Sequence, residues 1–170
     1  GQLGWDIPAA IGLADTDRFD AIVCITGDGS LMFNLQELAT LRRIENNIAV
    51  ILFDNGGYNS IRTSQDTHLS GRHFGSDLNW LGFPDWQALS QAFAYRYLEI
   101  NDNSQVDRAK TAMSGGHWFV RVKVDPERGR TPRLVSKIKD GKFISPTIFN
   151  QFPDLPPEIE LAYAALKARL

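Results

Sequence analysis

Two apolar runs, Ala21-Ile22-Val23-Cys24-Ile25-Thr26 and Ile48-Ala49-Val50-Ile51-Leu52-Phe53, constrain the fold of this chain more than any other feature. Each is short, rich in β-branched residues and reads as a strand. Each stops at a corner of small and polar residues. The first ends at Gly27-Asp28-Gly29-Ser30 and the second at Asp54-Asn55-Gly56-Gly57-Tyr58. Between them, Asn34 to Ile44 carries a helical pattern. Strand, glycine loop, helix and strand make a right-handed parallel crossover, so both strands end on the same edge of one sheet. The two corners therefore lie side by side at the carboxyl ends of the strands, where α/β folds bind ligands.

A glycine loop that opens a helix offers unpaired backbone N–H groups and the positive end of the helix dipole, which suits a phosphate. No Lys-Ser/Thr follows the loop, so it is not a nucleoside-triphosphate P-loop, and Met32 stands where a dinucleotide fingerprint would need its third glycine. The loop offers a carboxylate instead. Asp28 is placed for a hard cation to bridge it to a phosphate, and Asn55 on the neighbouring corner can add a carbonyl oxygen. Few protein oxygens, completed by phosphate and water, suit magnesium.

Asp28 and Asn55 are 27 positions apart. That spacing, with the wording Gly27-Asp28-Gly29-Ser30-Leu31-Met32-Phe33-Asn34-Leu35-Gln36-Glu37-Leu38-Ala39-Thr40, resembles the thiamine-diphosphate (ThDP) enzymes, and most of all their acetolactate-synthase-like branch. The resemblance implies that Asp28, the Asn55 side chain and the main-chain carbonyl of Gly57 hold Mg2+. It places Gly27, Gly29, Ser30 and Tyr58 around the cofactor, with Gly29 and Ser30 facing the diphosphate. Gly1-Gln2-Leu3-Gly4-Trp5 is similar to the loop that grips the aminopyrimidine. Leu3 would be the apolar wedge that bends the cofactor, and the Gly1 carbonyl would accept from the pyrimidine amino group. A plain helix-entry loop with one buried leucine is the alternative for that stretch. Two departures stand out. Asp54 occupies a place where many relatives have a second Asn. Ser60 and Ser64 fall where acetolactate synthases carry a Met and a Trp, and with Ile61 they follow the metal corner and are candidates to face substrate.

By the same resemblance, the chain is the C-terminal ThDP/Mg-binding domain of a 2-oxo-acid carboligase or lyase, a piece of a longer enzyme. A 2-oxo-acid decarboxylase, a non-catalytic nucleotide-binding module and an inactive partner subunit are the alternatives. The glutamate that drives pyrimidine tautomerism is expected from a pyrimidine-binding domain of the same or a partner chain. Glu37 does not match that role, so this segment alone is expected to bind and not turn over. A homodimer or homotetramer acting on a small 2-oxo acid is implied.

Charge is near balance, with 18 basic and 20 acidic residues, so nothing directs the chain to nucleic acid or an anionic membrane. No apolar run approaches a membrane span and no signal-peptide pattern is present. The single cysteine, Cys24, cannot form an internal disulfide, which agrees with a reducing, cytoplasmic setting. Elsewhere, Ile7 to Ala14 reads as a helix that Asp6 or a neighbour caps. Asn59 to Phe83 is polar without a sustained period, with a short helix from about Ser60 and with His68 and His73 as candidate general acids. A helix over Pro84–Ala94 puts Trp86, Leu89 and Phe93 on one face. Tyr97–Ile100 and His117–Val124 are strands, with a Ser104-capped helix, Gln105–Met113, between them. This alternation predicts an α/β doubly wound parallel sheet with helices on both faces over residues 1–125. Residues 126–170 read as an extension. Arg121 to Lys142 has eight basic and three acidic residues and no interleaved aromatics, which marks a solvated tail. Pro146, Pro153, Pro156 and Pro157 mark an irregular strap before a last helix, Glu158–Leu170.

Overall fold

The computed structural model describes residues 2–16, 18–127 and 131–167. The chain divides into two units, residues 1–127 and 128–170. The first is organised on four parallel strands: β1 (Ala21–Gly27), β2 (Asn47–Asp54), β3 (Arg96–Ile100) and β4 (His117–Lys123), in the order β1-β2-β4-β3. Ile22 lies opposite Ile48 and Gly27 opposite Phe53, so the two corners that follow are neighbours, as the crossover argument requires.

Strand alternation sorts the side chains into two layers. Ile22 and Cys24 of β1, Ile48, Val50 and Leu52 of β2 and Phe119 of β4 face the larger layer. There they meet α1 (Asp6–Ala14) through Ile7, Ala10 and Ala14, and α2 (Asp28–Leu31) through Leu31. The same layer takes Leu38 and Leu41 of α3 (Leu38–Arg42) and, beyond α4 (Asn59–His68), Trp86 of α5 (Trp86–Ala92). Leu98, Ile100 and Val120 face the other way, against Ala109 and Ala112 of α6 (Ala109–Met113). Helices thus lie on both faces of a parallel sheet. The second face of edge strand β1 is open, with Val23 45% and Ile25 61% exposed. Burial pushes the Cys24 thiol up to about 12, and the nearby Asp6 charge adds to the rise, so it stays protonated and acts as a small core residue.

Several local expectations shift. No long helix follows the glycine corner. β1 runs straight into the single turn α2, and the predicted 34–44 helix is a 3-10 turn, Leu35–Glu37, followed by α3. The Asn34 side chain reaches away to the Gly4 carbonyl (2.5 Å), which holds its backbone at φ −140° and delays the helix. After Arg42 the chain bends to meet β2, and the Asn46 amide donates to the Phe19 carbonyl. Ser104 is not the cap of the later helix. Asp102 accepts the Ser104 N–H (2.8 Å), and a 3-10 stretch, Asn103–Arg108, precedes α6. The Trp86, Leu89 and Phe93 face packs on the core, and the Asp85 carboxylate caps α5 by accepting the Ala88 N–H (2.9 Å).

The second unit holds two short antiparallel ladders, β5 (Arg133–Leu134) with β8 (Gln151–Phe152) and β6 (Lys137–Lys139) with β7 (Lys142–Ile144). Its helix α7 (Pro157–Lys167) starts with proline in the first turn. The Tyr163 ring lies 4.9 Å from that of Phe149.

Phe119 is fully buried on β4 beside the rings of Trp86 and Tyr97, at 6.3 and 6.5 Å between centroids. Phe119→Ala is expected to cost about 3–5 kcal/mol. Urea unfolding should show a lower midpoint with an unchanged slope.

Candidate functional site

The site begins with a carboxylate that the fold takes out of water. β1 ends at Gly27 and turns into α2, which leaves Asp28 1% exposed. Its Oδ1 accepts the Gly29 N–H (2.6 Å), and its Oδ2 accepts those of Gly57 (2.8 Å) and Asn55 (3.2 Å). Two strand ends are thus tied through one side chain. Burial raises the pKa of Asp28 and the neighbouring Asp54 carboxylate raises it further, while the Gly57 and Gly29 N–H groups pull it down.

Beside it, Asn55 Oδ1 is buried with no hydrogen-bond partner among the described residues. A buried amide oxygen without a donor costs free energy that a bound cation would recover. The Gly57 carbonyl accepts the Asn59 N–H at 3.2 Å, and a carbonyl oxygen has two lone pairs. Among the described residues no three His, Cys, Asp or Glu side chains gather into a cage. A cation placed here would take a carboxylate, an amide oxygen and a backbone carbonyl, with the rest of its shell from ligand or water. That all-oxygen set fits Mg2+.

Gly57 has to be glycine. Its φ is +130°, and a Cβ would lie 2.4 Å from the Ser76 carbonyl oxygen. Gly29 is constrained from outside, because a Cβ there would lie 2.3 Å from Tyr58 Cε1. The Tyr58 ring therefore rests on the glycine corner. Ser30 keeps its hydroxyl within the protein. Its Oγ donates to Asp6 Oδ2 (2.6 Å) and accepts the Gly4 N–H (2.9 Å). Thr26 donates to the same Asp6 oxygen (2.5 Å). Asp6, whose Oδ1 also accepts the Ile7 N–H (2.9 Å), is thus a tie between α1 and the corner. These bonds bring the turn holding Leu3 beside the corner, and Leu3 is 43% exposed there. Gly1 lies outside the described residues.

The sequence reading missed the residues that brace the second corner. Arg62 of α4 is 9% exposed, and its guanidinium donates to the carbonyls of Asn55 (2.8 Å) and Gly56 (3.0 Å). Gln65 accepts from the Ser76 hydroxyl (2.6 Å) and donates to the Phe74 carbonyl (2.9 Å), while the Ser76 carbonyl takes the Tyr58 N–H (2.9 Å). The buried face of α4 is polar, so hydrophobic periodicity could not find it. A polar helix directly after the corner was the available signal. Ser60, Ile61 and Ser64 lie on exposed positions of the same helix. His73 pairs with Asp66 (2.6 Å) and faces Asp77 (3.5 Å), which gives it a structural partner. His68 ends α4. His117 bonds the Ile44 carbonyl (3.0 Å), and burial together with the Arg42 charge lowers its pKa.

A cleft of about 280 Å3 opens beside the corner, lined by Asp54, Leu78, Trp86, Tyr97, Glu99 and Arg121. Asp54, Glu99 and Arg121 occupy neighbouring register positions on β2, β3 and β4 and share one face. Burial pushes the Glu99 carboxyl up, but hydrogen bonds from Tyr97 and Lys123 and the charges of Lys123 and Arg121 bring it down to about 2.

Residues 1–123 match the family described as thiamine pyrophosphate enzyme, C-terminal TPP binding domain. The chain is 33% identical over 127 residues to the acetolactate synthase isozyme 2 large subunit of Escherichia coli strain K12, covering 74% of this chain and 23% of that protein. It is 32% identical over 130 residues to the acetolactate synthase large subunit of Buchnera aphidicola subsp. Acyrthosiphon pisum, covering 74% and 22%. The benzoylformate decarboxylase structure from Polynucleobacter necessarius superposes with a TM-score of 0.63 at 26% identity, covering 74% of this chain and 24% of that one. The chain thus spans about a quarter of the length of these relatives. It belongs to the thiamine pyrophosphate enzymes, as their C-terminal TPP-binding domain of the acetolactate-synthase-like kind.

Proposed function

We propose that this chain supplies the diphosphate and metal half of the active site in an enzyme that makes or breaks the carbon–carbon bond next to the carbonyl of a small 2-oxo acid. The carrying observation is the buried Asp28 carboxylate beside the partnerless Oδ1 of Asn55. In this reading Asp28, Asn55 Oδ1 and the Gly57 carbonyl would hold Mg2+, and the main chain of Gly27, Gly29 and Ser30 would take the cofactor diphosphate. Bound thiamine diphosphate supplies the nucleophilic carbon and the electron sink.

The residues of this chain do the holding. Asp28 binds metal and fixes the backbone of Gly29, Asn55 and Gly57 in the same act. Arg62 sets the direction of the Asn55 and Gly56 peptides from behind. Tyr58 covers the glycine corner and limits water there. Leu3 offers an exposed apolar side chain and would be the wedge that bends the cofactor, and the Gly1 carbonyl would accept from the pyrimidine amino group. Residues 1–125 form this half-site and 126–170 an extension. The glutamate that handles the pyrimidine proton comes from a pyrimidine-binding domain of the same chain or a partner, within a homodimer or homotetramer in the cytoplasm.

Carboligation is the leading activity, from the acetolactate synthases among the relatives. Simple decarboxylation is the second reading. It is supported by the benzoylformate decarboxylase likeness and by small serines at positions 60 and 64. Incubating the intact protein with 2-oxo acids separates them: an aldehyde alone means decarboxylation, and a new carbon–carbon bond means ligation.

Asp28→Ala is expected to abolish magnesium-dependent ThDP binding in the intact protein. Calorimetry showing unchanged cofactor affinity would remove the metal assignment. Arg62→Met frees two carbonyls in the metal corner and is expected to weaken joint ThDP–Mg2+ binding by at least about tenfold. Equal affinity to wild type would mean the brace is dispensable.

A further inference from the structure

Asp54 immediately precedes Asn55, whose N–H bonds Asp28 Oδ2 (3.2 Å), and its own Oδ1 accepts the Gly56 N–H, so both carboxylates border the same corner. Two uncompensated carboxylates on one corner would form a strong divalent-cation site without help from any ligand. The structure prevents this. Asp54 Oδ2 is held by Nε (2.7 Å) and Nη2 (2.5 Å) of Arg121, and Oδ1 takes the Gly56 N–H (3.3 Å). The third guanidinium nitrogen, Nη1, reaches Glu99 Oε2 (3.1 Å). Glu99 is matched from its other side by Lys123 Nζ (3.1 Å) and also accepts the Tyr97 hydroxyl (2.8 Å). Three carboxylates face two cations, and the negative charge left over sits on Asp28.

We infer that Arg121 is a positioning residue that holds the Asp54 carboxylate in an ion pair and cancels its charge, so that a divalent cation is held firmly only together with a diphosphate. The inference rests on the proposal that Asp28 and Asn55 bind the cation. One net negative charge and two neutral oxygens hold a divalent ion weakly, and the diphosphate supplies the missing charge. Removing the guanidinium frees Asp54 to join Asp28, so the corner should take metal unaided. Removing the Asp54 charge leaves Arg121 less compensated and should repel metal. The two effects have opposite signs and cancel in the double variant. A packing defect has no reason to do this. Arg62 donates to the corner from its other side and is common to every variant.

The test is manganese(II) binding to the intact protein without diphosphate, read from the electron paramagnetic resonance of the free ion, for wild type, Arg121→Met, Asp54→Asn and the double variant. Arg121→Met should bind manganese about tenfold more tightly than wild type, and Asp54→Asn several-fold more weakly. The double variant should return to within about twofold of wild type. Asp54→Asn keeps the side-chain shape, so its arm can be read even if Arg121→Met folds poorly. Unchanged or weaker binding in Arg121→Met, or tighter binding in Asp54→Asn, overturns the inference. Wild-type protein that ignores ThDP and Mg2+ together overturns the proposed function. A flat manganese cycle in a protein that does bind the cofactor overturns only the role of Arg121.

Discussion

The Asp28 carboxylate sits in the protein interior and is stabilised there by three backbone N–H groups drawn from two strand ends. Those bonds compensate only in part for lost hydration, since its pKa remains raised. The corner is therefore preorganised and incompletely satisfied at once. Its backbone is fixed, while Asn55 Oδ1 has no partner among the described residues, which is what supports the proposed cation site. Everything around the corner serves this balance. The β1–β2 register brings the two strand ends together, Arg62 braces the second, and Asp6 ties α1 and the Leu3 turn to the first.

Much of the sheet was legible because its strands are nearly pure. Ala21–Thr26 and Ile48–Phe53 carry no competing pattern, and the crossover rule then fixes their direction and the position of their ends. The Asp28–Asn55 pairing was legible for the same reason, since parallel neighbours must end side by side. Local geometry was less legible wherever a side chain bonded far along the chain. Asn34 reaches Gly4, and this breaks a helix that periodicity alone would continue. Asp102 wins the cap from Ser104 by a bond to the Ser104 N–H itself. The brace of Arg62, Gln65 and Ser76 was invisible because its buried face is polar, and only the fold shows that those groups satisfy one another.

The two layers of the sheet carry different duties. The larger one, around Leu52, Phe119 and Trp86, supplies the rigidity that holds the strand ends. At its carboxyl end the same face turns ionic, with Asp54, Glu99 and Arg121 on adjacent strands. Strand alternation thus extends a packed core directly into the charges that border the corner. One consequence is that Asp54 is already engaged by Arg121 and is not offered to the corner as an uncompensated carboxylate.

The most direct measurement is the thermal stability of the intact protein with Mg2+ alone, with ThDP alone and with both. Ligands that bind only the folded state raise the melting temperature by mass action. A rise that needs both together is the predicted result. No rise at saturating ThDP and Mg2+, or the same rise with NAD, would contradict the account.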